Sequence, residues 1–198
     1  DTIPTGSYYR YFNVAGNAAG TATLIASATG YQPDTAYYVV TSPRLTACCN
    51  YTFSNFGPGS NATVYSTDSL RSGHYRSTPL VVSVVSTDTT IVRVDSSTVT
   101  IGAGQYYSSQ AHLTPVGVGT ARIIFAATGH ASLDTLTITV NTPKLSFSFY
   151  SYTIGRRQHR NPTDFYVTTP DYRPSPLAAT ITQRNGTVDS LTATALTI

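Results

Sequence analysis

Residues 119–145 read GTARIIFAATGHASLDTLTITVNTPKL, and residues 20–45 read GTATLIASATGYQPDTAYYVVTSPRL. The two stretches share one frame: G-T-A, an apolar strand, A-T-G, then D-T, a second strand, and P-[RK]-L, with a single inserted residue. The offset between them is 99 at the start and 100 at the end. Self-similarity at a long fixed period marks a chain built from repeated units. A second match lies further out. Residues 78–101, TPLVVSVVSTDTTIVRVDSSTVTI, align without a gap with residues 175–198, SPLAATITQRNGTVDSLTATALTI, at an offset of 97. Pro79 then matches Pro176, Ile91 matches Val188, Val94 matches Leu191 and Ile101 matches Ile198. One full unit is expected over residues 41–140. Residues 1–40 correspond to the last three strands of another unit, and residues 141–198 to the first four or five strands of a third. The two partial pieces together amount to one further unit.

Within the full unit, short runs rich in Val, Ile, Thr and Tyr alternate between turn signals. Strands are predicted near 45–53, 62–67, 80–86, 91–94, 98–101, 106–113, 120–127 and 134–140. The turns are G-P-G at 57–59, S-T-D-T at 86–89, G-A-G at 102–104, G-V-G at 117–119 and A-T-G at 127–129. Seven or eight strands in about 100 residues is the arithmetic of an immunoglobulin-like sandwich.

Four motifs carry a resemblance: PLVVSVVSTDTTIVRV at 79–94, VTIGAGQ at 99–105, VGVGTARII at 116–124 and AATGH at 126–130. Taken together they resemble the bacterial immunoglobulin-like (Big-type) repeat domains of secreted and surface proteins. The resemblance implies an all-β chain of tandem immunoglobulin-like β-sandwiches, with one complete central domain flanked by two complementary half-domains. It implies little about role, because such domains serve as spacers, adhesins and filament subunits.

Composition agrees with an all-β chain. There is no Glu, no Met and no Trp, and Lys144 is the only Lys. Of the 198 residues, 34 are Thr, 21 are Ser and 15 are Tyr, so helix formers are scarce and strand formers abundant. This excludes a helical bundle. No apolar run approaches the ~18 residues of a membrane helix, so no membrane span is expected. The net charge of +3 is mild and the bases are scattered; only Arg156, Arg157, His159 and Arg160 cluster, which reads as a solvated loop. A nucleic-acid interface needs a denser basic face. Because the sequence opens at Asp1 without an initiator Met, a processed or trimmed product is expected. Ser and Thr richness with few Lys suits an extracellular, cell-surface location.

Catalytic chemistry finds little footing. His130 and Asp134 lie four apart but fall in a turn and a strand start, and His74, His112 and His159 are isolated. No nucleophile elbow, phosphate-cradling loop or zinc-helix motif occurs. Nine dispersed Asp without Glu do not make a paired-carboxylate site. Asp88, Asp95 and Asp134 lack the density of a calcium loop. The chain is expected to be no enzyme and to use no cofactor or metal.

Cys48 and Cys49 are adjacent, which is neither a disulfide framework nor a zinc site. On one continuous strand, Leu45, Ala47 and Cys49 share a face, as Leu145, Phe147 and Phe149 do later, so Cys49 is expected inside and Cys48 outside. A bond between neighbours holds the Cα atoms near ~3.8 Å, below the usual window, which favours a free or intermolecularly paired Cys48 over a vicinal disulfide. Asn50, Asn61 and Asn185 head N-x-[ST] sequons and are glycosylation candidates, with Asn61 in a Gly/Ser loop and Asn185 at a hairpin tip matching Asp88. In the pairs Tyr8–Tyr9, Tyr37–Tyr38 and Tyr106–Tyr107, one ring is expected in the core and its neighbour outside, where rings can stack on sugars or on a neighbouring subunit.

Two roles compete. The first is a structural subunit of an extracellular filament, a head-to-tail homopolymer in which the C-terminal half-domain of one copy completes the N-terminal half-domain of the next, with covalent glycans as further partners. The second is an adhesin or carbohydrate-binding module, or a segment of a long covalent stalk, motivated by exposed Tyr and the Arg156–Arg160 loop.

Overall fold

The computed structural model describes residues 2–132, 134–160, 164–172, 175–187 and 195–198. All regular structure among them is β, as β-branched and aromatic side chains without Glu or Met dictate. In chain order the strands are β1 (Gly20–Ala26), β2 (Asp34–Val40), β3 (Arg44–Ala47), β4 (Tyr51–Ser54), β5 (Ser60–Ala62), β6 (Val64–Thr67), β7 (Leu80–Ser86), β8 (Val92–Val94), β9 (Thr98–Ile101), β10 (Ala111–Pro115), β11 (Gly119–Ala126), β12 (Ala131–Ser132), β13 (Thr135–Asn141), β14 (Ser146–Phe147), β15 (Val167–Thr168), β16 (Ala178–Thr180) and β17 (Ala195–Thr197).

Strands β3 to β13 make the central body. A five-stranded sheet runs β4-β13-β11-β7-β9, and two three-stranded sheets run β5-β10-β8 and β12-β3-β6. Alternation builds the core between them. The five-stranded sheet contributes Val82, Val84, Val99, Ile101, Ile123, Phe125, Leu136, Ile138 and Val140, and the smaller sheets contribute Leu45, Val64, Val92 and Leu113, all at most 3% exposed. Full burial of such a side chain contributes about 1.5–3 kcal/mol, so this cluster carries the stability. The arrangement is all-β and compatible with a β-sandwich.

Three strand expectations need correction. The run 62–67 is not one strand: Ala62 ends β5, which pairs with β10, and Val64 opens β6, which pairs with β3 in another sheet. The run 45–53 is not one strand. The chain leaves β3 at Ala47 and re-forms as β4 at Tyr51, in the other layer: β3 pairs antiparallel with β6, while β4 runs parallel to β13. Cys48, Cys49 and Asn50 make the crossing, all exposed, with Cys49 at φ 69°. Alternation therefore does not extend through the cysteines. Cys49 does not face inward, and the two are bonded to each other rather than free. Likewise 106–113 is a strand only from Ala111; the preceding residues step between layers through isolated bridges Tyr65↔Tyr107 and Ile101↔Ser108.

The flanking segments repeat the central pairings in register. In the centre, Gly119 pairs with Val140, Ala121 with Ile138 and Ile123 with Leu136. At the N-terminal side, Gly20 pairs with Val40, Ala22 with Tyr38 and Leu24 with Ala36, the positions that the sequence repeat assigns. Gly20 and Gly119 share an unusual φ, 152° and 149°, a conformation open to glycine because it has no Cβ. At the C-terminal side, Ala178↔Thr197 and Thr180↔Ala195 reproduce Val81↔Thr100 and Ser83↔Thr98. Ser146↔Thr168 and Phe147↔Val167 reproduce Thr46↔Tyr65 and Ala47↔Val64. The matches of Ile91 with Val188 and Val94 with Leu191 lie outside the described residues.

Candidate functional site

The flanks differ from the centre in what covers them. Hairpin β1–β2, pair β14–β15 and pair β16–β17 each form a two-stranded sheet of their own. Three central pairings have both strands inside one flank's equivalent, namely β11–β13, β7–β9 and β3–β6, and all three recur. Five others, β11–β7, β13–β4, β10–β5, β10–β8 and β12–β3, need one strand from each flank. The equivalents of β11–β7, β13–β4 and β12–β3 are absent among the described residues, while those of β5 and β8 fall around 161–163 and at 189–191, outside the described residues.

The unpaired surfaces are apolar. Ile123 is fully buried, whereas its equivalent Leu24 is half-buried. Leu45 is 1% exposed, but its equivalent Leu145 is 43% exposed. Phe147, Phe149, Phe165 and Tyr152 gather into one ring cluster, with centroids 4.6 to 5.6 Å apart, and remain partly open to solvent. Tyr8 is 90% exposed, while its equivalent Tyr106 is half-buried against Tyr65 and Tyr75. Contiguous apolar surface of this kind is uncommon on a closed soluble domain. The sequence pointed to the Leu145–Phe149 face, but Phe165 as its partner carried no local signal; β14–β15 pairing brings it there.

The tyrosine pairs split as alternation requires in two cases: Tyr38 and Tyr106 are half-buried, and Tyr37 and Tyr107 are exposed. Tyr8 and Tyr9 are both exposed.

The sequon residues are structured. Asn50 accepts from the Thr137 backbone N–H through Oδ1 at 2.9 Å. Asn61 lies on β5 rather than in a loop; its Nδ2 donates to Gln110 and its Oδ1 meets His112 Nδ1, both at 2.9 Å. Asn185 is exposed in a turn and accepts from Thr187 Oγ1 at 2.7 Å, as Asp88 accepts from Thr90 Oγ1 at 2.6 Å.

The titratable residues serve structure. Asp134 takes both guanidinium nitrogens of Arg71, at 2.9 and 3.0 Å, and the Ala47 N–H at 3.3 Å. His130 meets Arg76 instead of Asp134. His74 bonds Asp68 at 2.9 Å, and this bond, with the Ser72 and Leu70 N–H groups, holds the Asp68 carboxyl below the usual range. Thr90, through its hydroxyl and its N–H, does the same for Asp88. In the basic loop, Arg160 lies over the Tyr152 ring at 5.1 Å and pairs with Asp164 at 2.9 Å. Among the described residues no helix is long and apolar enough to cross a membrane.

No family model and no curated protein matches the chain. Solved structures do. Domains 4 and 5 of the S-layer protein SbsC are 20% identical over 62% of this chain and 65% of that one, with a TM-score of 0.37. A candidate carbohydrate-binding protein from Bacteroides ovatus is 12% identical over 53% of this chain and 40% of that one, at 0.38. The longer SbsC structure, residues 31–844, is 15% identical over 91% of this chain and 25% of that one, at 0.37. The chain thus spans less than two thirds of each. With TM-scores this low, the likenesses assign neither fold family nor role.

Proposed function

We propose that the chain is a structural subunit of an extracellular filament. Residues 41–140 form one complete immunoglobulin-like sandwich. Residues 141–198 of one copy and residues 1–40 of the next combine into a second. The role is mechanical, with no catalytic chemistry and no cofactor.

One observation carries this reading: the division of strand pairings. Every strand pairing that a flank can make alone is present and in register, and the three two-flank pairings whose strands fall on described residues, the equivalents of β11–β7, β13–β4 and β12–β3, are missing. The flanks are therefore folded to the point where they need each other. Left alone, each presents an apolar face and open strand edges, both prone to association. The central body supplies the pattern by which they close. Strand addition between chains is a known mode of binding, and a head-to-tail contact that does not close yields a fibre. A core formed between chains should bury an obligate-sized area, on the order of 2,000 Å² or more. The extracellular setting rests on composition, and glycans on Asn50, Asn61 or Asn185 would decorate the fibre surface.

The test is the mass of boiled, reduced native material. A ladder built on single subunits supports the proposal. One very long polypeptide overturns it in favour of a covalent array, and a monomer that forms no fibres by negative stain overturns it in favour of a binding module. An intact mass matching the bare 21.1 kDa chain removes the glycans.

A further inference from the structure

The central body does more than suggest closure; it gives an address. In it, the β11–β13 hairpin sits between two other strands. Ile124 pairs with Val85 and Phe125 with Val84 on the β7 side. On the β4 side, Ile138 pairs with Tyr51 and Val140 with Phe53, in parallel. The hairpin's equivalent is β1–β2, and the β7 equivalent is β16 with the residues that follow it. The β4 equivalent is found by its sequence: Tyr51-Thr52-Phe53 reappears as Tyr152-Thr153-Ile154.

We infer that the β1–β2 hairpin of one copy inserts between residues 152–154 and residues 178–182 of another, in a fixed register. On the antiparallel side, Ile25 pairs with Thr182 and Ala26 with Ile181. On the parallel side, Tyr38 pairs with Tyr152 and Val40 with Ile154. This rests on the filament reading and specifies its joint.

Independent observations favour this address. β7 runs from Leu80 to Ser86, but β16 stops at Thr180. Of the four β7 residues that β11 holds, Ser83 to Ser86, the last three, Val84 to Ser86, have no counterpart in β16. Similarly, β4 is held in its sheet by β13 alone, and residues 152–154 form no strand. Both deficits fall where the incoming hairpin would supply the ladder, and among the described residues β1 and β2 pair only with each other. Hydrogen bonds across a ladder are what hold an edge segment in strand geometry. The apolar sequence agrees. Leu24 and Ile181 take positions that Ile123 and Val84 fill in the centre, both buried there.

The trap is a cysteine pair, Ile25→Cys with Thr182→Cys, in full-length chain carrying Cys48→Ser and Cys49→Ser. Their central equivalents, Ile124 and Val85, point away from the core at 37% and 54% exposure, so neither substitution touches packing. Directly opposed antiparallel residues have Cα atoms about 4.5–5.5 Å apart, within disulfide reach. With oxidised glutathione, the double variant should give a covalent ladder that survives boiling and collapses with reductant. Each single variant should give no ladder. The out-of-register pair, Ile25→Cys with Thr180→Cys, should cross-link at least 10-fold less. Hydrogen exchange on the unsubstituted protein gives a second readout: amides at 152–154 and 181–182 should become protected on assembly. Equal ladders from both pairs, or fibres in which those amides stay unprotected, overturn the register and leave the filament reading standing. Absence of any multimer in sedimentation of the unsubstituted protein overturns the filament reading itself.

Discussion

Hairpins β11–β13 and β1–β2 are the same hairpin in two settings. Their registers coincide from Gly119↔Val140 and Gly20↔Val40 onward, and their opening glycines share one backbone conformation. Yet Ile123, Ile138 and Val140 are sealed in a core, while Leu24, Tyr38 and Val40 are only half covered. Pairing is thus a local property, set by turn chemistry and alternation over about twenty residues. Burial is not local; for β11–β13 it depends on strands some 40 or more residues upstream of β11.

The sharpest way to break the comparison is to remove matched side chains. Ile123→Ala should cost about 2–5 kcal/mol, because it leaves a cavity in a packed core. Leu24→Ala should cost under about 1 kcal/mol in dissociated subunits, as partly exposed positions do. Urea unfolding of dissociated protein measures both. If assembly occurs as proposed, the Leu24→Ala penalty should rise toward the Ile123→Ala value in fibres. Equal penalties in dissociated subunits would mean that the hairpin already has a core.

A smaller contrast concerns Asp134 and its repeat equivalent Asp34. Asp134 ties Arg71 and the Ala47 N–H to the start of β13. Asp34 bonds the adjacent Thr35 N–H. Asp134→Ala should lower stability by about 1–2 kcal/mol, given one bidentate ion pair and one backbone bond. Asp34→Ala should change the unfolding midpoint of dissociated subunits by less than the error of the measurement.

Reduction of the Cys48–Cys49 pair should matter less again. The bond closes no long loop, so it constrains the unfolded chain little, by about 1 kcal/mol or less. Thiol titration should find no reactive thiol before reduction and both cysteines afterwards. Labelling of Cys48 alone in untreated protein would restore the free-thiol expectation.

The smallest effect is in acid. Asp88 has its carboxyl lowered by Thr90, so its contribution is fully present above the ordinary carboxylate value of 3.8 and fades as pH falls through the lowered folded value. Asn185, the matching residue, accepts the same hydroxyl bond without a titrating group. Asp88→Asn should therefore flatten part of the stability loss below pH 3.8, and Asn185→Asp should not affect the central unfolding transition.

The repeat was legible because strand alternation and turn residues are written in neighbouring positions. The predicted run 80–86 is β7, 98–101 is β9, and 120–127 and 134–140 are β11 and β13 shifted by one residue. The crossing at Cys48–Asn50 was not legible, because Leu45 to Phe53 keeps an alternating look while the chain changes layers. Asn61 looked like a loop residue among Gly and Ser, and β10 recruits it into a ladder. Partners of that kind are long-range, and a local pattern carries no trace of them. The same holds for the candidate site: the apolar face at 145–149 could be read from alternation, but the pairings that each flank lacks are visible only beside a centre that has them all.

The strand order of the five-stranded sheet has a mechanical consequence. β4 lies near the start of the central body and β13 at its end, and they are neighbours running parallel. Tension applied through the two chain ends loads β3 first and, once β3 has come away, pulls β4 and β13 along their lengths in opposite directions. Their ladder of hydrogen bonds is then loaded sideways, so the bonds resist together instead of opening one after another like a zipper. A pull that would peel a hairpin from its tip must here slide one strand past the other, with the core side chains Leu136, Ile138 and Val140 dragged along. End-to-end load on the central body is met by shear of this ladder rather than by unzipping.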